Sequence, residues 1–171
     1  MGPAMLSYFA YGSNMPSARL RARCPSARPL GRAFVTGHEL RWHKRSKDGS
    51  GKCDLFPVAL QEALVHGVLY QIDASERDAL DRAEGYGYGY VRMDVVALRD
   101  GTAHRAMIYR ATDMDTSLRP YSWYLALVLA GAREHRLPDA YVALLEAVQS
   151  IEDPDRARHA ENMRLIGEPQ I

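Results

Sequence analysis

Residues 8–14 read Tyr8, Phe9, Ala10, Tyr11, Gly12, Ser13, Asn14, and seventy residues after Asn14 a carboxylate, Glu84, stands directly before Gly85. A strand that passes through glycine into a helix start points several backbone N–H groups at one place. Those donors, with the positive end of the helix, favour an anion. Gly12 lets a ligand approach the main chain closely. The segment lacks the longer glycine loop and lysine of a phosphate-binding P-loop, so a carboxylate or a developing oxyanion fits as well as a phosphate. The plainer alternative is a strand-to-helix turn capped by Asn14. Ser13 stands in no G-x-S-x-G elbow and has no marked histidine partner. It reads as a positioning hydroxyl or a backbone donor, not a nucleophile.

Glu84 lies four residues after Leu80 on a helical pattern, so the two share a face, and if Leu80 packs inward Glu84 points inward too. It also sits at the helix C-terminus, where the dipole disfavours a carboxylate. No stability rule places a glutamate there, whereas a general base suits the position. The alternative is an exposed glutamate paired with Arg77 or Arg82.

Other candidates carry less. The stretch Gly85, Tyr86, Gly87, Tyr88, Gly89, Tyr90 superficially resembles a dinucleotide fingerprint, but that motif needs a strand before it and a helix after it, the reverse of the order here. It reads as an aromatic connection that lines the site beside Glu84 or packs its tyrosines on the core. His38, His43, His66, His104, His135 and His159 form no metal-spaced cluster, so no metal site is expected. Arg41, Trp42, His43, Lys44 and Arg45, with Lys47, read as a solvated strand end in preference to an RNA contact. Tyr124 lies in an apolar helix and reads as a core tyrosine whose hydroxyl needs a partner.

The elements that must position these residues follow from periodicity and turn chemistry. Residues 6–11 form an aromatic strand and 16–23 a short helix with Pro16 in its first turn. Strand-like residues recur over 32–44, and 46–52 form a polar, glycine-rich loop. Residues 64–72 carry apolar groups on both faces, the mark of a central strand. Asp73 or Ser75 caps a helix that ends at Gly85. Strands over 90–98 and 103–111 join at Asp100 and Gly101, a hairpin signal. Helices follow over 120–132, 138–150 and 154–165, the middle one with an apolar stripe of Tyr141, Leu144, Leu145 and Val148. Strands in front and helices behind give an α+β class.

The 171 residues, 47% hydrophobic and 25% charged, suit one compact domain over residues 5–171, with Met1, Gly2, Pro3 and Ala4 reading as an expression scar. A net charge of +1 gives no reason to expect nucleic acid or an anionic membrane as partner. Residues 123–130, the longest apolar run, are too few to span a bilayer, which takes about 20. Two cysteines, Cys24 and Cys53, and no visible signal peptide suit a reducing cytoplasm.

Four ordered blocks resemble the gamma-glutamylcyclotransferase family. They are residues 8–14; His66, Gly67, Val68, Leu69, Tyr70; residues 80–85; and Tyr124 through Gly131 and Glu134 to Pro138 and Tyr141. The resemblance covers most of the chain. It implies a small mixed β-barrel or sheet flanked by helices, and release of 5-oxoproline from a gamma-glutamyl compound. By position, Glu84 is similar to the family's acid/base glutamate, residues Tyr8 through Asn14 to its substrate-binding loop, and Tyr124 to a substrate-contacting tyrosine. Where some members carry another tyrosine this chain has Val91, leaving Tyr88 or Tyr90 to serve. The resemblance implies a small-molecule gamma-glutamyl substrate, no cofactor and no metal, in a monomer or homodimer. The leaving amine stays open: an amino acid or peptide, an amine on a larger metabolite or antibiotic precursor, or none, in a silent binding domain. Residues 48–56 and 85–90 are the expected leaving-group loops.

Overall fold

The computed structural model describes residues 2–167; Met1 and residues 168–171, the extremes of the expected scar and domain, lie outside the described residues. In chain order the strands are β1 (Met5–Ala10), β2 (Arg28–Thr36), β3 (His38–Arg45), β4 (Gly51–Pro57), β5 (Leu64–Asp73), β6 (Tyr90–Arg99) and β7 (Thr102–Ala111). The helices are α1 (Ser17–Arg23), α2 (Arg77–Glu84), α3 (Ser122–Glu134), α4 (Asp139–Glu146) and α5 (Arg156–Gly167).

Five strands close a barrel in the order β1-β5-β2-β6-β7, and β3 and β4 form a separate ribbon. The expected central strand is β5, antiparallel to β1 from Met5↔Asp73 to Ala10↔Val68 and to β2 on its other edge. Its Val68, Leu69, Tyr70 and Ile72 are fully buried, as apolar groups on both faces require. A parallel contact, Tyr8↔Met107, brings β1 against β7. The β6–β7 hairpin turns at Asp100 and Gly101, both at positive φ, the geometry that matches the twist of its strands.

The expected α+β class and helix-flanked mixed barrel are present, with several boundaries moved. Residues 32–44 are not one strand: β2 and β3 are separated at Gly37. Residues 51–57, expected as part of a loop, form β4, whose Cys53, Asp54 and Leu55 are buried. A hydrogen-bonded partner, β3, makes this weakly patterned stretch a strand. Helix α4 stops at Glu146 because the chain turns back to lay Ile151 beside Pro120 and Ser122, at 3.0 and 2.8 Å. Of the expected stripe, Tyr141 and Leu145 are buried and Leu144 is exposed.

Two further features place the loop after β1 and the end of α2. Helix α3 passes so close to the loop after β1 that a Cβ on Gly131 would lie 2.8 Å from Pro16 Cδ. Asp73 accepts from the Ser75 amide at 2.9 Å and opens the turn that leads into α2. That helix ends at Gly85 with φ 73°, a left-handed residue glycine adopts without strain.

Candidate active site

Leu80 is fully buried, so α2 docks with the predicted face inward and Glu84, one turn later, follows it. The Glu84 side chain is 17% exposed and points at the loop after β1. Its partner is neither Arg77 nor Arg82. Asn14 Nδ2 donates to the Glu84 carboxylate, and the Arg23 guanidinium reaches the same oxygen at 3.0 Å. Arg23 also donates to Asn14 Oδ1 at 2.7 Å, and Asn14 Nδ2 lies 3.1 Å from the Tyr8 hydroxyl. Asn14 therefore does not cap α1. Its buried amide holds the Glu84 carboxylate instead.

The N-terminus of α1 is not the anion site expected from the sequence. The helix starts at Ser17, and Glu134 of α3 fills its first turn, with the Ser17 amide 3.3 Å from both carboxylate oxygens and its hydroxyl donating to one of them. The donors left for a ligand belong to the loop itself. Among the described residues, the amides of Gly12, Ser13 and Asn14 donate to no backbone or side-chain acceptor. Gly12 is needed for this approach: a Cβ there would sit 3.1 Å from Cys53 Cβ and 3.3 Å from the Tyr124 hydroxyl.

Tyrosines enclose the loop. Tyr124 accepts from the Cys53 amide at 3.0 Å, and Tyr90 donates to the Cys53 carbonyl at 2.7 Å, so both polar groups of one buried residue are held by hydroxyls on the cavity wall. The Tyr11 hydroxyl donates to the Tyr109 carbonyl, and Tyr109 donates to Asp81 at 2.6 Å. Burial raises the hydroxyls of Tyr8, Tyr11, Tyr90 and Tyr124 well above the ordinary tyrosine range, which keeps them protonated at neutral pH. Tyr8, Tyr11, Gly12, Ser13, Asn14, Glu84 and Tyr124 thus share one small cavity of about 20 Å³, while Phe9 and Ala10 are fully buried in the core and off its wall. Of the three tyrosines after Glu84, only Tyr90 reaches this cavity; Tyr86 and Tyr88 line an open trough of about 680 Å³ outside it. A third space of about 140 Å³ lies beside them, and Glu84 is in the wall of all three.

The basic strand is not a solvated end throughout. The β3–β4 register slips between Arg41 and Lys44, and both His43 and Lys44 are buried. A bulge re-aims side chains in this way. His43 lies 2.8 Å from the buried Asp54 carboxylate, and Lys44 lines the space beside Glu84. Arg19, Arg23, Lys44 and Lys52 escaped sequence-based reasoning because no local signal ties them to a glutamate far along the chain. Tyr109 and Cys53 escaped it for the same reason.

Residues 64–145 match the model of the AIG2-like family. The chain is 30% identical over 155 residues to mouse gamma-glutamylcyclotransferase and 31% identical over 149 residues to the human protein, each match covering 83% of this chain and 78% of the relative. The chain belongs to the gamma-glutamylcyclotransferase family. A solved gamma-glutamyl cyclotransferase superposes with a TM-score of 0.84 at 25% identity, covering 95% of this chain and 98% of that one. The blocks that carried the resemblance now have places in a gamma-glutamylcyclotransferase-like fold: β1 and its loop, central β5, the end of α2, and α3 running on into α4. No helix among the described residues is long and apolar enough to cross a membrane.

Proposed function

We propose that this chain is a gamma-glutamylcyclotransferase that closes a gamma-glutamyl compound into 5-oxoproline and frees the attached amine. The observation that supports it is the meeting of Glu84 with the loop of residues 12–14, joined through the Asn14 side chain. The uncharged alpha-amino nitrogen of the substrate attacks its own gamma-carbonyl carbon, an intramolecular step that mainly requires the folded conformer to be held. Glu84 accepts the proton this nitrogen sheds. The carbonyl electrons move onto oxygen, where the free amides of Gly12 and Ser13 stabilise the charge. When the oxyanion collapses, the bond to the departing nitrogen breaks and Glu84 returns the proton to it. These steps use no metal, nucleotide or covalent intermediate.

The open trough beyond Glu84 supports a second reading of the leaving group: a gamma-glutamylamine larger than an amino acid has room there. Screening gamma-glutamyl amino acids and gamma-glutamylamines for 5-oxoproline release separates the two. Glu84→Gln is expected to lower kcat by about 10²-fold or more with the fold retained. Turnover by that variant within a few-fold of wild type would sink the mechanism, and binding without turnover by wild type would identify a silent domain.

A further inference from the structure

The 140 Å³ space beside Glu84 is walled by two cations that make no ion pair among the described residues. Arg19 and Arg23 stand one turn apart on α1 and face the same way. Arg23 is committed to Glu84 and Asn14, but Arg19 has no ion-pair partner among the described residues, and its Nε is buried without an acceptor. Lys44, 8% exposed, also has no carboxylate within ion-pair distance among the described residues, and its ammonium lies 4.6 Å from the centre of the Tyr90 ring. Lys52, on the same wall, pairs with Asp48 at 3.1 Å and lies over the Trp123 and Tyr124 rings. Among the described residues the one carboxylate on this wall is Glu84 itself.

Burying a charge without a partner is costly, so a fold that turns Lys44 inward at a bulge and aims Arg19 at the same space is organised around an anion that arrives from outside. Burial lowers Lys44 and Lys52 from the ordinary lysine value and, with the neighbouring Arg23 charge, brings Arg19 down to about 10, outweighing the opposing pull of Glu84 on Lys44 and Arg19 and of Asp48 on Lys52 and Lys44. The space is that of about five waters at ~30 Å³ each. It admits a carboxylate and a few carbons.

We propose that Arg19 and Lys44 form a carboxylate subsite that fixes the substrate against Glu84 and the Gly12–Ser13 amides. The proposal rests on the cyclotransferase reading. A gamma-glutamyl amino acid offers two carboxylates, one on the glutamyl unit and one on the leaving amino acid. Three substrates separate them: gamma-glutamyl-alanine carries both, gamma-glutamyl-ethylamine only the first, and 4-aminobutyryl-alanine only the second. Lactam release (5-oxoproline from the first two, 2-pyrrolidinone from the third) gives kcat/KM for wild type, Arg19→Gln and Lys44→Gln. Both variants are expected to lose roughly tenfold more, mainly through KM, on substrates bearing the bound carboxylate than on the one lacking it. The substrate that escapes the extra loss identifies which carboxylate is held. Lys44→Arg and Arg19→Lys, which keep the charge, are expected to recover part of it. Equal losses on all three substrates, or no loss, would overturn the subsite while leaving the cyclotransferase reading intact. Wild type releasing no lactam from any of them would overturn both. Thermal melts of each variant show whether it folds, and the two positions on separate elements give independent readings.

Discussion

Asn14 is a good helix-capping residue by type, yet its amide spans Tyr8, Arg23 and Glu84, so the orientation of the Glu84 carboxylate depends on a side chain of the loop after β1. Arg23 acts on Glu84 both directly and through Asn14. Arg23→Gln is therefore expected to lower kcat by about tenfold with a smaller change in KM, measured by steady-state kinetics, because the carboxylate loses a charged partner that orients it. Tyr124 illustrates a different dependence. Removing its hydroxyl leaves the Cys53 amide without an acceptor, so Tyr124→Phe is expected to cost about 1–3 kcal/mol in denaturant unfolding, whatever it does to turnover. Glu84 and Gly12 were identifiable as candidates from their local setting, and Tyr124 only through the family resemblance, its local setting marking it as a core tyrosine. Arg23 was not, since nothing near an arginine at the end of one short helix points to a glutamate at the end of another.

At the scale of elements, the loop after β1 is held from behind by α3. Gly131 allows the close approach to Pro16, and Glu134 occupies the first turn of α1 through Ser17. Gly131→Ala adds a methyl group where no space exists. It is expected to destabilise by about 1–3 kcal/mol, and to lower kcat further by moving residues 12–17, as read by thermal melts and product release. An unchanged kcat in a destabilised variant would show that α3 supports the fold without positioning the loop. The β3–β4 ribbon has a similar role on the opposite wall: its bulge delivers Lys44, and β4 presents the Cys53 peptide to Tyr90 and Tyr124. Sequence patterning marked 46–52 as a polar, glycine-rich loop, and 48–56 was expected as a leaving-group loop on the same ground. Pairing with β3 overrode that signal.

For the molecule as a whole, two histidines set a pH limit on stability. Burial lowers both His66 and His135 from the ordinary histidine value; for His135 the nearby Glu134 carboxylate acts in the opposite direction and burial prevails. The unfolded chain, with histidines near about 6.5, then binds more protons than the folded one as the pH falls past that value. Their contribution is complete above about pH 6.5 and declines below it towards the lowered folded values. Denaturant midpoints are expected to be lower at pH 5 than at pH 7.5, with a smaller difference in His66→Gln. A midpoint that does not move across this interval would show that the two imidazoles titrate alike in both states.

From its sequence alone this chain settles its class and the outline of its elements. A two-residue period marks the strands, Asp73 and Gly85 bracket the second helix, and Asp100 with Gly101 turns the hairpin. All of these are local, decided within a few residues by backbone sterics and side-chain hydrogen bonds. The sequence also singled out Glu84, which no rule of local stability places at a helix C-terminus, and the Gly12 loop, whose strand-to-helix turn gathers backbone donors. Tertiary structure alone decided what faces them. Barrel closure, the docking of α3 against α1 and the bulged β3–β4 ribbon bring Arg23 onto the Glu84 carboxylate and Tyr90, Lys44 and Arg19 into the space beside it, from three separate elements and over separations that no sequence period encodes. It also decided that Asn14 serves the Glu84 carboxylate and not the helix, because the donor sites at that helix start were already taken by Glu134.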